Sequence, residues 1–214
     1  MAKKIQETAR GKKTKLTNPV VIIVCEGKET EPSYFENFKK RDKPLKIEIV
    51  KNAAGKSYPA LIKKAVESKR KYVDGTESKW DVWCVSDVDV DYKTPDSQSA
   101  RNKQLKEYAK NATDNNFKIA LSNPCFEVWF LLHFTPNIGY MQDCNTVEKV
   151  LSKHLHNYQK NRDVFGLLAD KLESAVSNGK KLKQYHEEKG KKDFIDVAVN
   201  PYTNVWELVE SLCN

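Results

Sequence analysis

Short runs of β-branched and aromatic residues alternate with segments of helical spacing, and this order constrains the fold more than any other feature. Two of the runs are continuously apolar, which is typical of strands buried on both faces of a parallel sheet. The order β-α-β-α-β-α-β predicts an α/β fold with a mostly parallel sheet of about four strands flanked by helices. The four runs are PVVIIVC (19–25), LKIEIV (45–50), VWCVS (82–86) and FKIALS (117–122).

Composition divides the chain of 214 residues into three regions. Residues 1–18 are polar and basic, which predicts a loose arm that is either solvated or in contact with a phosphate backbone. Residues 19–135 hold the predicted strands and form the expected α/β core. Residues 136–214 are polar and mostly of helical pattern, which predicts a helical insertion or cap that packs on the core and ends in a C-terminal helix.

Two Asn-Pro pairs stand before apolar segments, at 123–124 and 200–201. Asparagine is a good N-cap and proline suits the first turn of a helix. The sequence therefore predicts that each pair opens a helix. His133 falls in the first of these apolar segments, where we expect it to be a core residue rather than a ligand.

Charge and cysteine content restrict the partners and the compartment. The net charge of +8 favours a polyanionic partner, with nucleic acid, either DNA or RNA, as the first candidate. The five cysteines form no C-x-x-C pair, and the basic N-terminus lacks the apolar region of a secretory signal. No apolar run approaches the roughly 20 residues of a membrane span. We therefore expect a cytoplasmic protein with reduced thiols and no membrane partner.

Three aspartates spaced two apart, Asp87, Asp89 and Asp91, follow the third predicted strand. An EF-hand loop that began at Asp87 would need glycine and glutamate at positions that hold Tyr92 and Gln98. A strand also precedes the motif where an EF-hand has a helix. These departures exclude the EF-hand interpretation.

The segment AAGKS (53–57) suggests a phosphate-binding P-loop but lacks its first glycine, which is replaced by Val50. A polar turn is the favoured interpretation of this segment. Lys56 remains a candidate phosphate contact.

Acidic residues follow the first and third predicted strands. Glu26 stands directly after the first strand and precedes Gly27, while Asp87 and Asp89 follow the third. If these strands are neighbours, the three carboxylates meet at one edge of the sheet. Any one of these acids is more simply explained as a loop or cap residue. Together they favour a site for a hard divalent cation, Mg²⁺ or Mn²⁺, which would relieve their repulsion.

Longer segments carry a resemblance to a known family. VVIIVCEGKETE with VWCVSDVDVD resembles the Toprim fold, a metal-binding domain of primases, topoisomerases and nucleases. Over residues 19–212 the chain resembles the RloB family, which includes AbiLii-like abortive-infection proteins. The segments that carry this second resemblance are EGKETEPSYFENF, SNPCFEVWFLLHF, YQKN and NPYTNVWELV.

The resemblance implies a Toprim-like nuclease that hydrolyses phosphodiesters with Mg²⁺ or Mn²⁺ in bacterial defence against phage. It also implies a neighbouring ATPase of the ABC or AAA type as partner, and a homo-oligomer is possible. The alternative is a non-catalytic subunit that binds nucleic acid or senses infection for that ATPase.

Residue roles follow from the resemblance by position. Glu26 corresponds to the Toprim glutamate, which acts as a general acid or base or as a metal ligand. Asp87 and Asp89 correspond to the metal-binding D-x-D pair, and Asp91 is an additional acid that would bind metal or support the site.

The sequence leaves alternatives for the role of Glu127 and for the roles of three lysines. Glu127 places a charge in an apolar helix and therefore needs a partner. That partner is either the metal or its water, or a lysine such as Lys28. The candidate nucleic-acid contacts are Lys28, Lys56 and Lys160, which could equally be solvated surface residues.

Overall fold

The first strand is buried on both faces, as its sequence predicts. In this computed structural model, which describes residues 18–40, 44–51, 57–73, 75, 79–160 and 162–213, strand β1 spans Val20–Cys25. Val21, Ile23 and Cys25 enter one hydrophobic core, and the alternate residues of the strand enter a second core. Helices therefore cover both faces of the sheet.

Five strands form one mixed sheet, which confirms the predicted α/β class. The strand order is β2-β1-β3-β4-β5; the first four are parallel, and β5 runs antiparallel to β4. After β1, the strands are β2 (Lys46–Lys51), β3 (Trp80–Asp87), β4 (Lys118–Asn123) and β5 (Tyr202–Thr203). Strand β5 was not predicted, because a strand of two residues shows no periodic pattern in the sequence.

Eight α-helices lie within the described residues. Two short 3₁₀ segments, Asn37–Lys40 and Ala169–Lys171, adjoin α1 and α6. The α-helices are α1 (Thr30–Glu36), α2 (Tyr58–Tyr72), α3 (Pro95–Asp114), α4 (Glu127–Leu132), α5 (Cys144–Leu151), α6 (Phe165–Leu168), α7 (Leu172–Glu188) and α8 (Val205–Cys213).

The prediction that the Asn-Pro pairs open helices is wrong. Helix α4 begins at Glu127 and α8 at Val205, so both pairs lie before the helices in cis-proline turns. The Asn123 amide donates hydrogen bonds to two backbone carbonyls of the 195–200 segment. The Asn123 side chain is therefore engaged in tertiary hydrogen bonds and does not cap a helix.

The C-terminal region contributes to the same sheet and core as the N-terminal strands. Asn204, just before α8, accepts a hydrogen bond from the Leu121 amide (2.7 Å) and donates one to the Ile119 carbonyl (2.9 Å). These contacts hold β4 beside the residues that lead into α8. His133 is buried directly after α4, as expected, and its Nδ1 lies 3.0 Å from the Trp129 carbonyl.

Candidate acidic site at the ends of strands β1 and β3

Strands β1 and β3 are neighbours, so the residues that follow them meet. Cys25 pairs with Val85, and the Glu26 amide donates to the Val85 carbonyl at 2.9 Å. The Asp87 amide in turn donates to the Glu26 carboxylate (Oε2) at 3.2 Å. The chain goes outward from β1 to β2 and returns to the other side of β1 as β3, so this edge is a topological switch point, where open α/β sheets bind ligands.

Asp87 has a buried carboxylate oxygen with no hydrogen-bond partner among the described residues. The residue is partly exposed, but its Oδ1 is inaccessible to solvent. Burial raises the pKa of Asp87 well above its ordinary range, and the nearby charges of Glu31, Glu127 and Glu26 add to the rise. Ionisation of Asp87 in this position raises the free energy of the folded protein unless a cation binds nearby, and without a cation the carboxyl group tends to stay protonated.

Glu31 is a member of this cluster that the sequence analysis did not select. It lies in the first turn of α1, only 6% exposed, and its Oε1 accepts a hydrogen bond from the Gly27 amide at 3.2 Å. Burial raises its pKa from 4.5 to about 7, and the charges of Glu127 and Glu26 contribute. A glutamate in the first turn of a helix usually lies at the surface, where its charge interacts favourably with the helix dipole. The sequence therefore gave no indication that Glu31 is buried.

Gly27 makes the close approach of Glu31 possible. A Cβ at this position would lie 2.6 Å from Glu31 Oε1, closer than van der Waals contact permits. The glycine of the EGKETE segment therefore leaves room for a carboxylate that hydrogen-bonds to the turn after β1.

Glu127 is the fourth acid of the cluster. It is 2% exposed, and its Oε1 accepts a hydrogen bond from the Tyr158 hydroxyl at 3.0 Å. Lys28, one of the partners considered for it, is exposed. The partner that the structure shows is a tyrosine from the segment between α5 and α6.

Lys160 comes from the same segment as Tyr158. Its ammonium group lies 3.0 Å from Glu148 Oε1, and its carbonyl accepts a hydrogen bond from the Thr30 hydroxyl at 2.8 Å. Burial opposes its charge, but the charges of Glu127 and Glu148 outweigh this effect and raise the pKa of Lys160. The structure therefore places this lysine within electrostatic reach of the acidic cluster. Lys56 lies outside the described residues.

Asp89 and Asp91 have other surroundings. Asp89 is exposed at a positive φ of 41°, a conformation that aspartate tolerates, and its carbonyl accepts a hydrogen bond from Arg101. The Asp91 carboxylate accepts hydrogen bonds from the Thr94 hydroxyl (2.7 Å) and the Lys93 amide (2.9 Å), which lower its pKa. These contacts form the turn before α3, so they give Asp91 a local structural role.

The carboxylates of the acidic cluster meet some of the requirements of a Mg²⁺ or Mn²⁺ site. Within the described ranges, no group of three or more His, Cys, Asp or Glu side chains is arranged to hold a metal ion. Mg²⁺, however, is usually bound by one or two carboxylates together with waters and substrate phosphates. That mode of binding suits the Glu26 carboxylate and the adjacent Asp87 Oδ1, for which the described residues supply no hydrogen-bond partner.

Comparisons with known proteins yield one match. No curated protein and no solved structure matches the chain. Among the helices that the structure describes, none has the length and apolar character needed to cross a membrane. The model of the family described as RloB-like protein matches residues 21–212. The chain therefore belongs to the RloB-like family.

Proposed function

We propose that this protein is a metal-dependent nuclease that hydrolyses phosphodiesters in bacterial defence against phage. The observation that carries the proposal is the buried Oδ1 of Asp87 at the switch point between β1 and β3, which has no hydrogen-bond partner in the described part of the chain and has three further acids near it. Four mutually repelling carboxyl groups in one place raise the free energy of the folded protein unless a cation or protons compensate.

Asp87 and Glu26 would hold a Mg²⁺ or Mn²⁺ ion. Such an ion, when bound, activates a water and stabilises the leaving oxygen of a phosphodiester. Glu31 and Glu127 lie near enough to act on Asp87 electrostatically, and their charges would favour a bound cation. Their hydrogen bonds, from the Gly27 amide and the Tyr158 hydroxyl, hold the two carboxylates in place. Asp89, exposed on the loop that follows β3, is available as a further ligand.

Basic residues would attract the nucleic acid to this edge of the sheet. Lys28 is exposed two residues after Glu26, and Lys160 lies near the acidic cluster. The net charge of +8 favours association with any polyanion. Membership of the RloB-like family is consistent with the defence role. We further propose a neighbouring ABC or AAA ATPase as partner and a cytoplasmic location.

A second candidate function is a non-catalytic subunit that binds nucleic acid or senses infection for that ATPase. The observation that favours it is the lack, within the described part of the chain, of a three-carboxylate group at ligand spacing. A non-catalytic subunit needs no cation, so a measurement of metal binding distinguishes it from the proposed nuclease.

The decisive experiment is calorimetric titration of Mn²⁺ into the wild type, Asp87→Asn and Asp91→Asn. The nuclease proposal expects binding by the wild type, loss of binding in Asp87→Asn, and unchanged binding in Asp91→Asn, because Asp91 is engaged in the turn before α3. An Asp89→Asn variant tests whether the exposed aspartate also binds the ion. Equal binding by the wild type and Asp87→Asn would reject the proposed site.

A cleavage assay with end-labelled DNA and RNA completes the test, with the partner ATPase present and absent. Activity that requires Mn²⁺ and disappears in Asp87→Asn supports the nuclease. Nucleic-acid binding without cleavage, unchanged in Asp87→Asn, would support the binding subunit instead.

A further inference from the structure

Tyr140 is exposed to an unusual degree for an aromatic residue. Its exposed fraction is 61%, the largest among the large hydrophobic side chains of the described residues. Exposure of a single apolar side chain needs no explanation by itself. Tyr140 is of interest because its ring packs against Tyr92 on the loop that leaves the acidic site after β3.

Tertiary contacts hold the Tyr140 ring on one side and the backbone of the next residue. The ring packs edge-to-face against Tyr92, with centroids 5.8 Å apart. The Tyr92 hydroxyl lies within hydrogen-bond distance of the Asn123 side-chain oxygen and the Val197 carbonyl. The neighbouring Met141 is bound through both its backbone amide and its carbonyl to the Asn200 side chain, at 3.0 and 2.8 Å. Little conformational entropy therefore remains to be lost when a ligand contacts Tyr140.

The chain connects this aromatic pair to the acidic site on two sides. Tyr92 stands on the loop after β3, five positions beyond Asp87. The 137–143 segment leads into α5, whose first residue, Cys144, is close enough to Asp87 to contribute to the rise of its pKa. Lys93, exposed beside Tyr92, lies within electrostatic reach of Asp143. An aromatic ring and a cation therefore lie on the two chain segments that adjoin the acidic site.

We infer that Tyr140 is a stacking platform for an unpaired nucleobase, and that the substrate is therefore taken as a single strand, DNA or RNA. This inference rests on the proposed function, because it places the phosphodiester chain at the acidic site. Proteins that bind single strands set exposed aromatic rings along the path of the nucleic-acid backbone, since every base has a face that can stack. Bases in a duplex are already stacked on each other and do not offer that face.

Equilibrium binding tests the inference without relying on cleavage. Fluorescein-labelled oligonucleotides of about 12 nucleotides, within the usual site size of single-strand binders, are titrated in EDTA with the full-length protein. DNA and RNA are each offered as a single strand and as a duplex. The variants are Tyr140→Ala, Tyr140→Phe and, as matched control, Tyr185→Ala, which truncates a tyrosine of 52% exposure on α7.

The expected result is a loss of single-strand affinity of about tenfold in Tyr140→Ala, the usual effect of removing one stacking ring. Tyr140→Phe and Tyr185→Ala should bind as the wild type does, and duplex binding should be the same in all four proteins. Equal single-strand affinity in Tyr140→Ala and the wild type, an equal loss for single strand and duplex, or no binding of single strands by the wild type would each overturn the inference.

Failure of the inference can be distinguished from failure of the proposed nuclease. Asp87-dependent cleavage with unchanged binding in Tyr140→Ala would keep the nuclease and reject the stacking platform. Tyr140-dependent binding without cleavage or Mn²⁺ binding would keep the platform and reject the nuclease.

Discussion

Replacement of Glu31 by glutamine should stabilise the protein at alkaline pH in the absence of divalent cations. Glu31 is buried among other acids, and its pKa is raised from 4.5 to about 7. A raised carboxyl pKa means that the folded state binds a proton more tightly than the unfolded state does. Stability from this group is therefore fully present below pH 4.5, declines as the pH rises towards 7, and is lost above it.

The size of the effect follows from the pKa change. At about 1.36 kcal/mol for each pKa unit, the rise corresponds to at most about 3.4 kcal/mol of unfolding free energy lost at pH 8. Protonation of neighbouring carboxyl groups offsets part of this cost, so we expect Glu31→Gln to gain about 1–3 kcal/mol. Glutamine keeps an oxygen that can accept the Gly27 amide hydrogen bond. A gain of about 2 kcal/mol would raise the melting temperature by about 4–8 °C.

Urea unfolding in EDTA at pH 4.5, 6 and 8 measures this gain. The gain should be close to zero at pH 4.5 and should grow with pH to its full value at pH 8. Glu29→Gln is the matched control, because Glu29 is exposed on the same turn, where substitutions change stability by less than about 0.5 kcal/mol. A gain that is absent at pH 8, or equal at all three pH values, would refute the reasoning. Mn²⁺ should stabilise the wild type at pH 8.

Three further predictions concern the supports of the site. Gly27→Ala should destabilise the protein by about 1–3 kcal/mol, because the added Cβ would collide with the Glu31 carboxylate. In a double-mutant cycle measured by urea unfolding, Glu31→Ala should remove most of this cost. Tyr158→Phe should cost about 1.5–3 kcal/mol at pH 7 by removing the hydrogen bond to buried Glu127, and a loss under 0.5 kcal/mol in denaturant titration would contradict this. Asn204→Ala should cost about 2 kcal/mol in thermal unfolding by leaving two β4 backbone groups unpaired; an unchanged melting temperature would contradict it.

The sequence was most informative where a periodic pattern and a strong local signal coincided. The continuous apolar run at 19–25 predicts a buried strand, and the observed bounds of β1 differ from this prediction by one residue. Serine is a favoured N-cap residue, and the Ser57 hydroxyl accepts a hydrogen bond from the Ala60 amide at the start of α2. The Asn-Pro pairs carried a local helix-start signal of similar strength, but distant backbone groups took up the asparagine side chain instead.

The candidate site was predictable only in part, because it is assembled from residues distant in the chain. Glu26 and Asp87 could be paired from sequence, since residues after adjacent parallel strands must meet. Glu31 could not be selected, because nothing local distinguishes a buried acid from a surface one in a first helical turn. The role of Asp89 as a metal ligand remains a prediction, and the contacts of Asp91 favour its alternative role of supporting the site.

The sequence by itself determined the alternation of strands and helices, the parallel sheet and the acids at its carboxyl edge, because these depend on hydrophobic period and chain order. Only the tertiary structure decided which carboxyl groups are buried and what contacts them. Burial and pKa are set by groups that meet after folding, such as Tyr158 and Glu127, which are 31 residues apart in the chain. The sequence states the charge of each acid, and the fold determines the free-energy cost of that charge.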